Sequence, residues 1–425
     1  MIEASDRTGS GDGHQDASAP SAASAPSASS GSVGSSGSSG SNRSSGPSGS
    51  NRSSGPRGSN GFDGTGSTGE DDTVLEVQDL VVEFRNGNRT VHAVSGVTFS
   101  VRTGETLGLV GESGCGKSTT GRALVQVQRP TSGRVTYRGQ NLSELSPRKL
   151  RQVRTKIQMI FQDPISSLNP RRRVRDIVAE PLVIWGRGKK DERRVKVNEM
   201  LEAVGIDPEA AGDRRPGEFS GGQCQRISIA RALMAEPELL ICDEPVSALD
   251  VSVQAQILNL MADLKAQFGL TMVFIAHDLG VVKNVSDRVA VMYLGKLVEI
   301  ADSDDLYRSA AHPYTEALLA SIPEPDPDKR SEHEGLSGEL PSPLNPPSGC
   351  RFRTRCPYAQ DVCAEQEPLL REVAPGHEVA CHFPLTGPNG SDDAQAGTAG
   401  AAAAAAAAGA EVDVGEVSPG SPGTG

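Results

Sequence analysis

Residues 111 to 118 have the types and spacing of a loop that wraps around phosphate. They match the pattern GxxxxGK[ST] without a mismatch and follow directly after the apolar run Thr106–Val110. Glycines let consecutive backbone N–H groups turn toward an anion, and the positive end of the next helix points the same way. Lys117 is then expected to reach the terminal phosphates and Ser118 to ligate Mg²⁺. The predicted nucleotide contacts are Gly111, Glu112, Ser113, Gly114, Cys115, Gly116, Lys117, Ser118 and Thr119. The alternative, a Gly-rich turn that matches by chance, does not account for the strand before and the helix after.

A second set of chemical groups follows the apolar run Leu239–Cys242. Asp243 and Glu244 place two carboxylates at a strand end, where Mg²⁺ beside a phosphate loop needs them. We expect Asp243 to hold the metal and Glu244 to orient and deprotonate the attacking water. His277 ends the next predicted strand and is expected at the same sheet edge, where it could contact the γ-phosphate. The alternatives are a solvated acidic pair at a turn and a structural histidine.

A second Gly-rich helix start follows Phe219. It comprises Ser220, Gly221, Gly222 and Gln223 and precedes the segment 225–227. One nucleotide needs only one phosphate-facing helix start, so a second one in the same domain is unexpected. The residues by themselves also permit a linker turn here.

The elements that must position these groups follow from the pattern of apolar residues. Alternation over Val74–Phe84 and again over Val97–Val101, on either side of the turn-like 86–88, predicts antiparallel strands. Further strands are predicted at 134–138, 156–161, 239–242 and 271–276, a hairpin at 288–300, and helices at 119–127, 174–204 and 251–268. Strand, long helix and strand over 239–276 form a βαβ unit. The prediction is an α/β core with a β-rich flank.

The chain has 425 residues, a formal net charge of -12 and two low-complexity ends. Residues 1–72 are rich in Ser and Gly and 386–425 in Ala and Gly, so both are expected to form disordered tails. The net charge argues against non-specific nucleic-acid binding. No run of eighteen apolar residues is present, which predicts membrane contact through partners only.

Taken together, six motifs in order from Val74 to Ile300 resemble those of ATP-binding cassette (ABC) ATPases. The resemblance implies an ABC-type P-loop core with an antiparallel β flank and a helical subdomain over 73–310, acting on ATP and Mg²⁺. It implies that Ser220–Gln223 is the signature motif, which serves ATP held by a partner subunit in a head-to-tail dimer, although Phe219 replaces the usual Leu. It further implies that Gln162 senses Mg²⁺ and contacts membrane subunits, that Asp250 lies across the dimer seam and that His277 is the switch histidine. Phe84 is the nearest candidate for stacking on adenine, although the family position could instead fall on a non-aromatic residue within 88–91.

Sequences flanking these motifs resemble one group within that family, the oligopeptide and dipeptide permease ATPases, and among them the F-type subunit. The similar segments are 108–122, 158–170, 244–256 and 276–278, followed by 312–315, 338–343 and 346–350 in an extension over 311–385. The resemblance implies a peripheral subunit on the cytoplasmic membrane face. Its partners would be a second ABC ATPase, two transmembrane permeases and an extracytoplasmic peptide-binding protein. Nickel or another small solute as cargo, and a non-transport ABC ATPase, are the alternatives.

The 7 cysteines fall into two groups. Cys115, Cys224 and Cys242 are isolated within the nucleotide motifs and are expected to pack as small residues. The extension carries Cys350, Cys356, Cys363 and Cys381, with five, six and seventeen residues between successive members. A reducing compartment favours a metal or cluster site over disulfides for this set. Four thiolates can hold a [4Fe-4S] cluster, as some members of the resembled group are built to do. The alternatives are structural zinc and free thiols.

Overall fold

The computed structural model describes residues 72–322 and 338–385. The two predicted tails lie outside the described residues, except for Asp72. Among the helices that are described, none is both long enough and apolar enough to cross a lipid bilayer.

A four-stranded antiparallel sheet forms one layer of the protein. Its strands are β1 (Thr73–Asn86), β2 (Arg89–Arg102), β4 (Ser132–Tyr137) and β5 (Gln140–Asn141), in the order β2-β1-β4-β5. The β1–β2 hairpin turns at Gly87, whose φ of 59° is readily adopted by glycine. Both strands predicted from alternation are therefore confirmed, and β2 begins earlier than the pattern indicated.

The second sheet has eight strands and carries the functional motifs. Its members are β3 (Thr106–Val110), β6 (Ile157–Ile160), β7 (Leu239–Asp243), β8 (Thr271–Ile275), β9 (Arg288–Tyr293), β10 (Lys296–Asp302), β11 (Arg371–Ala374) and β12 (His377–Val379). The order is β11-β12-β10-β9-β3-β8-β7-β6, and the five strands from β9 to β6 are parallel. Because carboxyl ends of parallel strands share an edge, this topology brings the loops after β3, β6, β7 and β8 together.

Alternating residues of the eight-stranded sheet enter two different cores. Leu107, Ile241 and Ile275 pack with the buried side chains of the four-stranded sheet. Met272 and Phe274 face the opposite side and pack with the buried side chains of helices. The central strands are covered on both faces, which explains why β7 and β8 read as continuous apolar runs.

The helices follow the sequence pattern in most places. They are α1 (Lys117–Leu124), α2 (Pro147–Val153), α3 (Pro164–Ser167), α4 (Val174–Val178), α5 (Glu180–Ile184), α6 (Lys190–Ala203), α7 (Pro208–Ala211), α8 (Gly221–Leu233), α9 (Val251–Phe268), α10 (Leu279–Lys283), α11 (Ser303–Arg308), α12 (Pro313–Ala320) and α13 (Asp361–Glu365). The bounds predicted for α9 are confirmed, and Gly269 ends it in a left-handed conformation. The helical stretch predicted over 174–204 is three helices, because glycines at 186 and 188 adopt positive φ and Pro181 lies at the start of α5.

The C-terminal extension is continuous with the eight-stranded sheet. Val379 of β12 pairs with Glu299 of β10, so the β11–β12 hairpin extends the sheet edge. Beneath it, the rings of Tyr314 and Phe352 pack on Tyr293, with centroid distances of 4.7 and 5.2 Å. Sheet pairing thus ties the extension to β10, and the aromatic cluster ties it to β9, the strand that adjoins β3.

Candidate functional site

The phosphate loop connects β3 to α1 and depends on glycine at two crowded positions. Gly111 has a φ of 146°, and a Cβ there would lie 2.0 Å from the carbonyl oxygen of Met292. Gly116 has a φ of 109°, and its Cβ would lie 2.2 Å from the carbonyl oxygen of Ala93. Only glycine fits such contacts with backbone, so neighbouring strands fix the loop's path.

Lys117 begins α1 and its side chain folds back across the loop. The ammonium group donates hydrogen bonds to the carbonyl oxygens of Gly111 and Glu112, at 2.8 and 3.0 Å. It also lies 4.0 Å from a carboxylate oxygen of Glu244. Lys117 is only 4 % exposed, so its charge is held beside the phosphate loop and close to the Glu244 carboxylate.

Ser118 and Asp243 form a pair of oxygen donors suited to Mg²⁺. The Ser118 hydroxyl donates to Asp243 Oδ1 over 2.7 Å. Asp243 is fully buried, and its Oδ2 has no hydrogen-bond partner among the described residues. Burial raises the pKa of Asp243, an effect that the hydrogen bond from Ser118 opposes. An orphaned carboxylate oxygen next to a hydroxyl matches the hard oxygen ligands that Mg²⁺ prefers.

The Glu244 carboxylate is the point on which three predicted residues converge. Gln162, which follows β6, donates from Nε2 to Glu244 Oε2 over 2.7 Å. His277, which follows β8, places Nδ1 3.7 Å from the same oxygen, and Lys117 approaches the other oxygen. Glu244 has a φ of 46° and donates its backbone N–H to Ile275 at 3.0 Å. Its carboxylate is thus oriented by neighbours on three strand ends, as a general base requires.

The second Gly-rich helix start is not part of this cluster. Ser220 caps α8: its hydroxyl accepts from the Gln223 N–H at 3.3 Å, while Gln223 Oε1 accepts from the Ser220 N–H at 3.0 Å. A Cβ on Gly222 would meet the Val253 side chain at 2.5 Å, so this start lies against α9, near exposed Asp250. Within the described residues, no hydrogen bond or ion pair joins Ser220–Gln223 to the phosphate loop.

Phe84 and the three isolated cysteines make no hydrogen bond or ion pair with the Glu244 carboxylate within the described residues. Phe84 is 40 % exposed and pairs with Val91 across the β1–β2 hairpin. Cys115, Cys224 and Cys242 are all buried, as expected for small packing residues, and burial raises the pKa of each thiol.

The four cysteines of the extension line one small cavity, together with His312 and Phe352. Burial raises the pKa of Cys356 to about 11 and that of Cys381 to about 12. His312 accepts a hydrogen bond at Nδ1 from Tyr314, while its buried Nε2 has no partner in the described part of the chain. Among the described residues, no three or more His, Cys, Asp or Glu side chains are arranged to hold a metal ion.

The sequence patterns missed the contacts between the extension and the phosphate loop. Arg355 donates two hydrogen bonds to the Glu112 carboxylate, and the hydroxyl of Tyr314 accepts from the Glu112 N–H. Neither residue belongs to a hydrolysis motif. The only sequence signal was the similarity of 312–315 to peptide importers, which indicated no partner for Tyr314.

Comparison with known proteins agrees with this geometry. A family model described as ABC transporter matches residues 94–247, and one described as oligopeptide/dipeptide transporter, C-terminal region, matches 298–363. The oligopeptide transport ATP-binding protein AppF of Bacillus subtilis (strain 168) is 53% identical over 322 residues, covering 73% of this chain and 98% of AppF. This chain belongs to the oligopeptide/dipeptide ABC transporter ATP-binding family. As an ABC cassette of that family it is an ATP-hydrolysing enzyme.

Other relatives of this family member extend the comparison. The oligopeptide transport ATP-binding protein OppF of Escherichia coli (strain K12) is 52% identical over 320 residues, which cover 72% of this chain and 95% of OppF. The dimeric post-hydrolysis state of the ATP-binding cassette MJ0796, bound to ADP and Pi, matches with a TM-score of 0.50 at 28% identity. That match covers 54% of this chain and 98% of the cassette. The ABC fold predicted from the motifs is therefore confirmed.

Proposed function

We propose that this ABC ATPase binds ATP and Mg²⁺ and uses hydrolysis to power uptake of oligopeptides and dipeptides by an importer. The observation that carries the proposal is the convergence of Lys117, Gln162 and His277 on the Glu244 carboxylate. The match to the oligopeptide/dipeptide C-terminal region supports this cargo class, as do the names of AppF and OppF.

The residue roles follow from these contacts. Lys117 would exchange its bonds to loop carbonyls for bonds to the β- and γ-phosphate oxygens. Ser118 and Asp243 would hold Mg²⁺, with Gln162 reaching it, and the metal would supply positive charge to the phosphate oxygens. Glu244 takes a proton from the water that attacks the γ-phosphorus as ADP leaves. Gln162 and His277 keep the carboxylate in place and respond to the γ-phosphate.

The second ATPase subunit is assigned a catalytic role, because the signature helix start packs against α9, apart from the phosphate loop in the described part of its own chain. Ser220–Gln223 would contact ATP on a second ABC ATPase in a head-to-tail dimer, with Asp250 across the seam. Phe84, exposed at the hairpin, would stack on adenine. The remaining partners are two transmembrane permeases and an extracytoplasmic peptide-binding protein, which place this subunit at the cytoplasmic membrane face. We assign the ATPase to residues 73–310 and the extension to 311–385.

The catalytic assignment is tested by replacing Glu244 with glutamine. Glu244→Gln removes the base but keeps the size of the side chain and one oxygen that can still accept from Gln162. We expect hydrolysis to fall by about 10²- to 10⁴-fold while binding of ATP in the presence of Mg²⁺ is retained. Glu202→Gln, an exposed substitution on α6, is the matched control and should hydrolyse ATP like the wild type. Undiminished turnover in the Glu244 variant would refute the base assignment.

The cargo is tested in cells that depend on uptake. Deletion of the gene should abolish growth on defined oligopeptides as the sole amino-acid source, and the wild-type gene should restore it, whereas Glu244→Gln should not. Nickel accumulation is measured in the same strains. Loss of nickel uptake with normal peptide use would contradict a peptide cargo.

We also propose that Cys350, Cys356, Cys363 and Cys381 bind a [4Fe-4S] cluster. Support comes from the cavity that all four side chains line, and because they are not arranged as a metal site in the described residues, the thiols would have to reorient to bind a cluster. Thiolate sulfur is the ligand type that such clusters use. When bound, the cluster would cross-link four points of an extension whose loops contain little regular structure.

Anaerobic purification tests this ligand set. The full chain should contain iron and labile sulfide and show charge-transfer absorption, and Cys363→Ala should lose them. Cys224→Ala is the control, since Cys224 is buried in α8. Zinc in place of iron, or four titratable thiols with no metal, would overturn the cluster assignment.

A further inference from the structure

Glu112 is an acidic residue within a loop built to bind anions, and two side chains of the C-terminal extension hold it. Arg355 Nη1 lies 2.7 Å from Glu112 Oε2, and Arg355 Nη2 lies 3.0 Å from Glu112 Oε1. The backbone N–H of Glu112 donates to the Tyr314 hydroxyl over 2.9 Å. Both the carboxylate and the backbone of this loop residue are therefore fixed from outside the ATPase motifs.

The ion pair between Glu112 and Arg355 is largely shielded from water. The Arg355 side chain is 4% exposed and that of Glu112 is 26% exposed. A two-pronged contact between guanidinium and carboxylate fixes geometry as well as charge. Without the guanidinium, the Glu112 carboxylate would add an unpaired negative charge to the loop that receives the phosphates of ATP, and like charges repel at low effective dielectric.

The partners of Glu112 are themselves anchored in the folded extension. Tyr314 is fully buried, and its ring packs against Phe352 with a centroid distance of 5.4 Å. Phe352 in turn follows Cys350, whose N–H donates to the carbonyl oxygen of Cys363 over 2.7 Å. Arg355 immediately precedes Cys356, so the segment that carries the cysteines also carries the guanidinium.

We infer that Arg355 and Tyr314 are positioning residues for ATP binding. Arg355 neutralises Glu112, and Tyr314 orients the backbone that follows Gly111. The extension is thereby a determinant of nucleotide affinity in its own chain. This inference rests on the proposed function, since it requires that the phosphate loop binds ATP.

The test measures binding of a non-hydrolysable ATP analogue with Mg²⁺ to the full chain, together with the KM and kcat of hydrolysis. Arg355→Gln should weaken binding and raise KM by roughly tenfold or more, with a much smaller change in kcat. Glu112→Gln combined with Arg355→Gln should recover most of the affinity, because the unpaired carboxylate is gone. Arg353→Gln is the matched control, since Arg353 donates to the carbonyl oxygen of Ser348 within the extension.

Four further outcomes decide the inference. Tyr314→Phe removes the hydroxyl that accepts the Glu112 N–H and should raise KM severalfold. This variant tests the inference independently if Arg355→Gln unfolds the chain. Equal affinity of the wild type and Arg355→Gln, or a double variant no better than Arg355→Gln, would overturn the charge-neutralising role. A wild-type chain that binds no ATP analogue would refute the proposed function itself.

Discussion

Two Gly-rich helix starts in this chain differ in how their free backbone N–H groups are used. At α1, Gly116 precedes the helix in a left-handed conformation and no side chain caps it. At α8, Ser220 and Gln223 form a reciprocal capping box. The first start is surrounded by functional groups from four strand ends, whereas the second packs against α9.

The difference in capping explains how two Gly-rich helix starts can bind ligands in different ways. An uncapped helix start inside a loop has N–H groups available for phosphate and a buried lysine beside them. A capped start is stable without a ligand and can remain exposed until another subunit presents one. Under the proposed function, one chain would contain most of its own nucleotide site and, separately, the helix start that would contact ATP on a partner subunit.

The largest effect is expected from adding one methyl group at the first helix start. Gly116→Ala places Cβ against the carbonyl of Ala93 and forces a non-glycine residue to a φ of 109°. At a cost of about 1–3 kcal/mol, binding of an ATP analogue should weaken by about fivefold to 150-fold. Gly221→Ala adds the same atom 3.4 Å from Leu249, an ordinary contact, and should keep binding. If titration showed similar losses of ATP-analogue affinity in both variants, the two helix starts would not differ in their role in phosphate binding.

A smaller but more selective effect is expected from charge at the second helix start. Aspartate caps helices as well as serine does, so Ser220→Asp should preserve α8 while opposing a partner's γ-phosphate. We expect ATP-driven dimerisation and hydrolysis to fall by about tenfold or more, the effect of about 1.4 kcal/mol of repulsion, with ATP binding by the single subunit unchanged. Ser220→Asn keeps the cap without the charge and should stay closer to wild type. Equal hydrolysis by the two variants would argue against a phosphate at this position.

The smallest effect is on folding stability. Ser220→Ala removes the hydroxyl that accepts the Gln223 N–H and should lower the free energy of unfolding by about 1 kcal/mol. Urea unfolding measures this change. Ser247→Ala, which removes a hydroxyl that donates to the Glu244 carbonyl instead of capping a helix, is a useful comparison. An unchanged midpoint for Ser220→Ala would mean that the capping box contributes little in solution.

Much of the fold could be predicted because its signals are local. Alternation identified β1 and β2, apolar runs identified β7 and β8, and amphipathic spacing predicted Val251–Phe268 to the residue. The helical spacing over 174–204 is confirmed as three helices, whose boundaries were not predicted because apolar spacing does not report the conformations of glycine and proline. The β11–β12 hairpin was not predicted, since its strands have 4 and 3 residues and carry charged side chains.

For the site, strand ends and motifs were sufficient to place Lys117, Gln162, Glu244 and His277 together. The partners of Glu112 were not predictable in this way, because Tyr314 and Arg355 lie 202 and 243 positions away along the chain. Such pairs are set by how the extension folds onto the sheet. No periodicity or spacing in the chain carries that information.

The sequence by itself determined the chemistry: a phosphate loop, two carboxylates at a strand end, a glutamine, a histidine and four clustered cysteines. Each depends on residue type and short spacing, which local backbone preferences convert directly into loops and helix starts. Only the tertiary structure decided which groups meet. Parallel strand order gathered three side chains on Glu244, and packing of Tyr314 and Phe352 on Tyr293 accompanies the contact of Arg355 with Glu112. Contacts between distant segments depend on burying apolar surface across the whole domain, a property that no single segment contains.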